Sequence, residues 1–268
     1  MLRFPKYVIR VVPFIFALAI APVVLPSGAQ ATAMFSSAAT VTVTLTGIEN
    51  TDLFSTAPLD VEVLAGTAST DPFSGDTFPF SFTEGTGTAS GTSTGSPVLT
   101  PPDFDDPTVL GIGDSLTITA TASGTADSIG YAEVLSAAFG LITIDNFSMT
   151  DEVAVSFLLD FSLSAEASVD DALLEDAIGD ATVDVFSFGG EVDVAEFIEA
   201  DGLFGPFDTG FGDTFAFTMI IGADDFNDIE LIVDAGGFAE AIPAPGGLAF
   251  LLVGAALIGF RRRKTQIR

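Results

Sequence analysis

The chain has 268 residues, with 37 Asp and Glu against eight Lys and Arg, a formal net charge of −29, and no Cys, His or Trp. All basic residues lie within residues 1–10 and 261–268, so the middle of the chain cannot neutralise phosphates, and nucleic acid is excluded as a partner. Without His, a Ser nucleophile lacks its usual proton acceptor, and without Cys no disulfide forms.

The first segment, residues 1–33, has the pattern of a signal peptide. A basic stretch ending at Arg10 precedes an apolar run over residues 11–25, and small-residue cleavage sites end at Ala31 and Ala33. We expect cleavage after Ala33 by signal peptidase. An uncleaved N-terminal anchor is the alternative, although the run is shorter than the ~20 residues of a spanning helix. In both cases the basic end stays inside and the acidic middle crosses the inner membrane.

The middle segment, residues 34–240, is long enough for one domain with a sizeable core, and its pattern is strand-like almost throughout. We predict an all-β fold, a two-sheet antiparallel β-sandwich of jelly-roll-like type, flanked by an N-terminal signal helix and a C-terminal hydrophobic helix. Alternation of apolar and polar residues, or a short apolar run, predicts strands at residues 39–46, 59–64, 78–82, 115–120, 137–144, 153–163, 182–188, 191–198, 214–219 and 229–233.

Two segments depart from this pattern. Residues 169–178 resemble a short helix, which Asp170 or Asp171 would cap and Gly179 would end. Residues 83–107 are rich in Gly, Thr, Ser and Pro, and we expect a long mobile loop there. The alternatives for that segment are a linker between two subdomains and an exposed edge strand.

Many of the 26 Phe residues recur at alternate positions, as in Phe78, Phe80 and Phe82 or in Phe215 and Phe217. Alternate positions on a strand share one face of the sheet. We therefore predict that these rings form the core and are not a ligand-binding surface.

Three patterns resemble catalytic motifs. Residues 91–95 match the Gly-x-Ser-x-Gly elbow of serine hydrolases, but the chain has no His to serve it. Asp208-Thr209-Gly210 resembles half of an aspartic-protease site, but no second half follows, and we expect a turn there. A glycoside hydrolase needs only two carboxylates, but its clefts usually stack sugars on Trp or Tyr, and the middle segment contains one such residue, Tyr131. We therefore expect no catalysis.

The acid excess raises the question of bound ions. Clusters at residues 103–106 and 151–152, and at Asp224, Asp225 and Asp228, supply oxygen ligands of the kind that calcium takes. None has the spacing of an EF-hand loop. The acids indicate either calcium bridging or adaptation to a salty habitat, and no other cofactor is expected.

The last segment, residues 241–268, carries the most specific pattern. A proline motif precedes an apolar run over residues 248–260, which spans roughly 20 Å as a helix, short of a ~30 Å hydrocarbon core. The prolines keep the motif extended and accessible to an enzyme. The motif consists of Ile242, Pro243, Ala244, Pro245, Gly246 and Gly247, and the basic cluster after the apolar run consists of Arg261, Arg262, Arg263 and Lys264.

This tail resembles the sorting signal of the PEP-CTERM class of bacterial exported proteins, which joins a Val-Pro-Glu-Pro-like motif, a short helix and an Arg cluster. Pro243 and Pro245 match the two prolines, while Ile242 and Ala244 stand where the motif has Val and Glu. A plain C-terminal membrane tail is the alternative interpretation.

The resemblance implies processing by an exosortase-type membrane transpeptidase. Its substrates pass from a membrane-anchored precursor to the cell surface or the extracellular matrix, where polysaccharide is the expected partner. Two hypotheses about the molecular role remain open: a structural matrix protein without catalysis, and a calcium-assisted carbohydrate-binding or adhesive module.

Overall fold

The protein is an all-β sandwich. The computed structural model describes residues 32–52, 59–68, 78–96, 108–127, 129–170, 175–204 and 207–242, all within one compact unit, Ala29–Ala244. The strands are β1 (Thr32–Asn50), β2 (Val61–Ala68), β3 (Phe80–Gly85), β4 (Thr88–Ser96), β5 (Thr108–Val109), β6 (Ser115–Asp127), β7 (Gly130–Asn146), β8 (Val153–Ser168), β9 (Glu175–Ser187), β10 (Asp193–Asp201), β11 (Phe207–Ile221) and β12 (Asp225–Ala241). A short 3₁₀ helix, Gly202–Phe204, precedes β11.

The strands form two antiparallel sheets, which confirms the predicted all-β, two-sheet architecture. The predicted N-terminal and C-terminal helices lie outside the described residues. The five-stranded sheet has the order β11-β8-β1-β6-β4. The seven-stranded sheet has the order β10-β9-β12-β7-β2-β5, and β3 pairs with β7 beside β2. Each of the ten predicted strand segments lies wholly or largely in a strand of the structure.

The core lies between the sheets and follows from period-two alternation. In β1 and β8 nearly every second residue is buried, so each strand turns one face inward and one outward. Val41, Leu116, Phe157 and Leu231 are among the fully buried side chains. Ser37 also points inward, and its hydroxyl donates a 2.8 Å hydrogen bond to the Gly236 carbonyl of the other sheet.

The predicted helix at residues 169–178 is wrong in its C-terminal part. Residues 175–178 begin β9, which pairs with β12 along its whole length. Ala177 and Ala181 are buried, while Asp176 and Ile178 take the outward positions. Asp176 and Asp180 alternate there with the small core residues Ala177 and Ala181. Residues 171–174 lie outside the described part of the chain.

The predicted loop at residues 83–107 is also corrected. Residues 83–85 form the end of β3, and residues 88–96 form β4, which is an edge strand of the five-stranded sheet. The edge-strand alternative is therefore right for residues 88–96. Hydroxyls stabilise the edge: the Thr88 and Thr92 side chains hydrogen-bond to Thr125 and Thr121 of β6 at 2.6 and 2.7 Å. Residues 97–107 are not among those described.

The Phe residues contribute less to the core than predicted. Phe215 and Phe217 are partly buried against it, but Phe80 and Phe82 are 59% and 44% exposed. All six residues of β3 are exposed, because this short strand lies at the edge of its sheet and has both faces open to solvent. The core is built mainly of Ala, Val, Leu and Ile. Some of the Phe rings that were predicted to lie in the core are instead on the surface.

Candidate binding surface

The two sheets present different chemistry to solvent. The outer face of the five-stranded sheet is a hydroxyl array, in which Thr40 pairs with Thr119 at 3.1 Å and Thr42 with Thr117 at 3.0 Å. Such cross-strand Thr pairs stabilise a solvated sheet. On this face the hydroxyls largely satisfy one another.

The outer face of the seven-stranded sheet carries most of the strand carboxylates, and we call it the acidic face. Strand alternation places them outward, at positions that the register brings side by side. They are Glu62, Glu84, Glu133, Asp145, Asp176, Asp180, Asp184, Asp193, Glu199, Asp201, Asp228, Glu230, Asp234 and Glu240.

The carboxylates of the acidic face repel one another. Asp180 lies directly opposite Glu199 on β10, and burial together with the Glu199 charge raises the pKa of Asp180. Burial raises the pKa of Asp184 in the same way, with Asp193 as the neighbouring charge. Like charges opposed across two strands destabilise the sheet. Binding of cations or protons to this face would therefore relieve the repulsion.

A second group of repelling acids surrounds Asp228. Burial and the Asp228 charge raise the pKa values of both Asp145 and Glu230. One buried carboxylate oxygen of Asp228 has no hydrogen-bond partner. The other two predicted calcium ligands lie where β12 begins. Asp224 is in the turn before the strand and has a positive φ of 54°, and Asp225 is the first residue of the strand, where its carboxylate accepts a 2.9 Å hydrogen bond from the Phe226 amide.

A preassembled metal centre is not found in the described part of the chain, where no three acidic side chains lie close enough together to hold an ion. Asp224, Asp225 and Asp228 are all described. Calcium binding by these three residues stays a prediction.

At one end of the acidic face, aromatic and acidic side chains alternate in two rows, and we call these six residues the checkerboard. The first row runs Phe82, Glu133, Phe238 across β3, β7 and β12. The second row runs Glu84, Tyr131, Glu240 across the same strands. Each aromatic side chain therefore has a Glu two residues away on its own strand and a Glu opposite it on a neighbouring strand.

Tyr131 is the centre of the checkerboard. Its ring lies 6.0 Å from the Phe82 ring and 6.4 Å from the Phe238 ring, and it stacks on the latter at 17°. Its hydroxyl donates a 2.8 Å hydrogen bond to Glu133. Burial, this hydrogen bond, and the charges of Glu133, Glu240 and Glu84 all raise the pKa of Tyr131. Three carboxylates therefore surround one phenol.

The sequence contains a signal for the checkerboard that the sequence analysis missed. Phe82, Tyr131, Phe197 and Phe238 each precede a Glu by two residues, so an aromatic-x-Glu tripeptide occurs four times, and all but the one at Phe197 belong to the checkerboard. Period-two geometry puts both members of each tripeptide on one face. Only the strand register shows that the three tripeptides are neighbours and that the central one runs in the opposite direction.

The motifs that resembled catalytic sites lie in strands. Ser93 belongs to β4, and not to the strand-turn-helix elbow in which a hydrolase nucleophile sits. Gly91 and Gly95 flank it because a Cβ at either position would overlap Ser136 or Thr67 of the facing sheet. Residues 208–210 form part of β11 and pair with β8, so the predicted turn there is wrong.

One of the two predicted signal-cleavage sites, Ala33, falls near the start of β1. Ala31 is outside the described residues, whereas Ala33 is fully buried and pairs with Ala126 of β6. Cleavage after Ala33 would remove Thr32 and Ala33 from the strand, while cleavage after Ala31 would leave the strand complete. On this argument Ala31 is the better of the two predicted sites.

The predicted sorting motif begins directly after the last described strand. Ala241 is buried at the end of β12, and Ile242 is half exposed. The rest of the motif, the apolar run and the basic cluster lie outside the described residues. Within the described ranges, none of the helical structure has the length and apolar character needed to cross a membrane.

Fold and surface together define an acidic two-sheet β-sandwich with one hydroxyl face and one acidic face. Comparison with protein-family models finds no family that matches this chain, and comparison with curated proteins finds no similar sequence.

Proposed function

We propose that this chain is an exported cell-surface or extracellular-matrix protein with a structural or interaction role and no catalysis. A signal helix directs it across the inner membrane, and signal peptidase removes that helix. A short C-terminal helix then holds the precursor in the membrane until an exosortase-type transpeptidase acts at the proline motif. The fold is of the jelly-roll type on this proposal, since consecutive strands from β6 to β9 alternate between the sheets.

The observation that carries the proposal is the position of the basic residues relative to the described strands. The described strands run from Thr32 to Ala241, and the basic residues lie only beyond those bounds, next to the two apolar runs. Cations next to apolar segments fix orientation in a membrane, and acids have little effect on it. A domain without Lys or Arg therefore presents no obstacle of that kind to export.

Deleting residues 243–247 tests the sorting role. We expect the variant to remain in the membrane with its basic tail attached, because the transpeptidase loses its extended recognition motif. Cell fractionation and immunoblotting with an antibody against the tail would measure this. Ala244→Glu, which brings the motif closer to the class pattern, is the matched control and should be processed at least as well as the natural chain. Normal surface display of the deletion variant would contradict the sorting role.

A second candidate function, a calcium-assisted carbohydrate-binding or adhesive module, is favoured by the opposed carboxylates of β9 and β10. Divalent ions would relieve the repulsion between Asp180 and Glu199 far better than sodium at equal ionic strength if they bind there. Thermal melting in EDTA, in CaCl₂ and in NaCl of matched ionic strength separates the two functions. Full substitution of calcium by NaCl supports the structural role, and a melting temperature that needs calcium supports the module.

A further inference from the structure

The checkerboard is a partly exposed surface, in which Phe82, Glu84 and Glu133 are exposed and the other three residues are partly buried. Its aromatic and its acidic side chains favour the same kind of ligand. The faces of Tyr131 and the Phe rings carry partial negative charge, which attracts cations. The carboxylates of Glu84, Glu133 and Glu240 carry full negative charge. Both kinds of group repel anions, so the complementary ligand is cationic.

The aromatic half of the checkerboard favours an organic cation over a metal ion. Phe82 and Phe238 offer no oxygen, and the Tyr131 hydroxyl already donates to Glu133. An organic cation gains from both halves, because its apolar part covers the rings while its charged end meets the carboxylates.

Apolar and acidic side chains also lie next to each other beyond the checkerboard, around Gly236. Gly236 lies on the acidic face next to Leu135 in the register, and it has no side chain. A Cβ at Gly236 would lie 3.2 Å from an Asp180 carboxylate oxygen and 3.5 Å from the Leu135 side chain. Leu135 and Phe80, which pair with each other, are 42% and 59% exposed. Asp180 and Leu135 thus close over the buried Gly236, and this part of the acidic face has an apolar side and an acidic side.

The length of this surface favours a polymer over a small amine. From the checkerboard, the carboxylates continue across β9 and β10 through Asp176, Asp180 and Glu199. Asp176 has a buried carboxylate oxygen without a hydrogen-bond partner. A single ammonium group would meet only one end of this series, whereas an extended chain of cations would meet all of it.

We propose that the acidic face docks an extended basic polypeptide, whose Arg side chains stack on Tyr131 and Phe238 and pair with Glu133 and Glu240. Arg fits this surface better than Lys, because its planar guanidinium stacks on rings and binds carboxylates with two parallel hydrogen bonds. The inference rests on the proposed interaction role, which it makes specific, but not on export or sorting. Its failure would leave the sorting proposal intact.

The experiment uses the full chain in a non-ionic detergent and a fluorescent hexa-arginine peptide, with binding followed by anisotropy at about 0.15 M salt. We expect Glu133→Gln with Glu240→Gln to weaken binding about tenfold or more, since two charge-assisted contacts are lost. The matched control, Asp160→Asn with Glu166→Gln, removes the same charge from the hydroxyl face and should weaken binding less than about twofold. Melting curves check that all variants fold.

A second variant tests the aromatic part. Phe238→Ala should weaken hexa-arginine binding several-fold more than hexa-lysine binding, because only the guanidinium stacks. Equal weakening by the charge variants on the two faces would overturn the proposal, since binding would then depend on net charge alone. Spermine or a glucosamine oligomer binding as tightly as hexa-arginine would also overturn it, in favour of a small amine or a cationic polysaccharide.

Discussion

The ionised Asp180 side chain on the acidic face destabilises the fold. It faces Glu199 across β9 and β10, and both burial and that charge raise its pKa. In the folded protein this carboxyl holds its proton to a higher pH than in the unfolded chain. The native state therefore binds more protons, and stability falls as the pH rises from about 4, the ordinary value, through the raised folded pKa.

Replacing Asp180 with Asn should stabilise the protein at pH 7, because Asn resembles the protonated carboxyl. Relief of one opposed pair of like charges is worth roughly 0.2–1 kcal/mol. The gain should shrink as the pH falls toward 4, where the natural side chain is itself protonated. Thermal melting from pH 4 to pH 8 measures this, with Glu166→Gln as a control that removes one charge from the hydroxyl face. A gain that does not change with pH would contradict the explanation.

The small residues of β4 are explained by the strands that it packs against. Its sequence of Gly, Ser, Thr and Ala suggests a loop, because it offers little to bury. The structure shows an edge strand that approaches the seven-stranded sheet so closely that only small side chains fit on its inner side. The space available, and not flexibility, accounts for Gly91 and Gly95.

Gly95→Ala should destabilise the protein by about 1–3 kcal/mol, the usual cost of overpacking. The added methyl group would overlap Thr67 of β2, which is buried, so one of the two strands must shift. Thr94→Val is the control, since Thr94 lies on the outer side of the same strand. Urea denaturation measures both variants, and a neutral or stabilising Gly95→Ala would show that β4 does not pack this closely.

The strands could be predicted from the sequence because alternation is local. Residues 39–46 and 153–163 show it directly, and both lie in long strands of the five-stranded sheet. Burial at the edges could not be predicted in this way. Phe80 alternates as a core residue would, but it belongs to a strand with both faces exposed. The checkerboard depends on register between β3, β7 and β12, which are distant in sequence.

In the molecule as a whole, the acidic and the basic residues lie in different parts of the chain. The folded sandwich carries only acids, and the basic residues lie beyond its first and last strands. This arrangement costs stability through repulsion, which salt or cationic partners relieve. This separation of charge also suits the acidic face to the cationic partner proposed above.

Intact mass spectrometry of the protein isolated from its native host tests export and processing together, because it fixes both termini at once. We predict a mature chain that begins at Thr32, or at Met34 if cleavage follows Ala33, and that lacks residues 248–268. A folded cytoplasmic protein that still carries Arg261, Arg262, Arg263 and Lys264 would contradict the account.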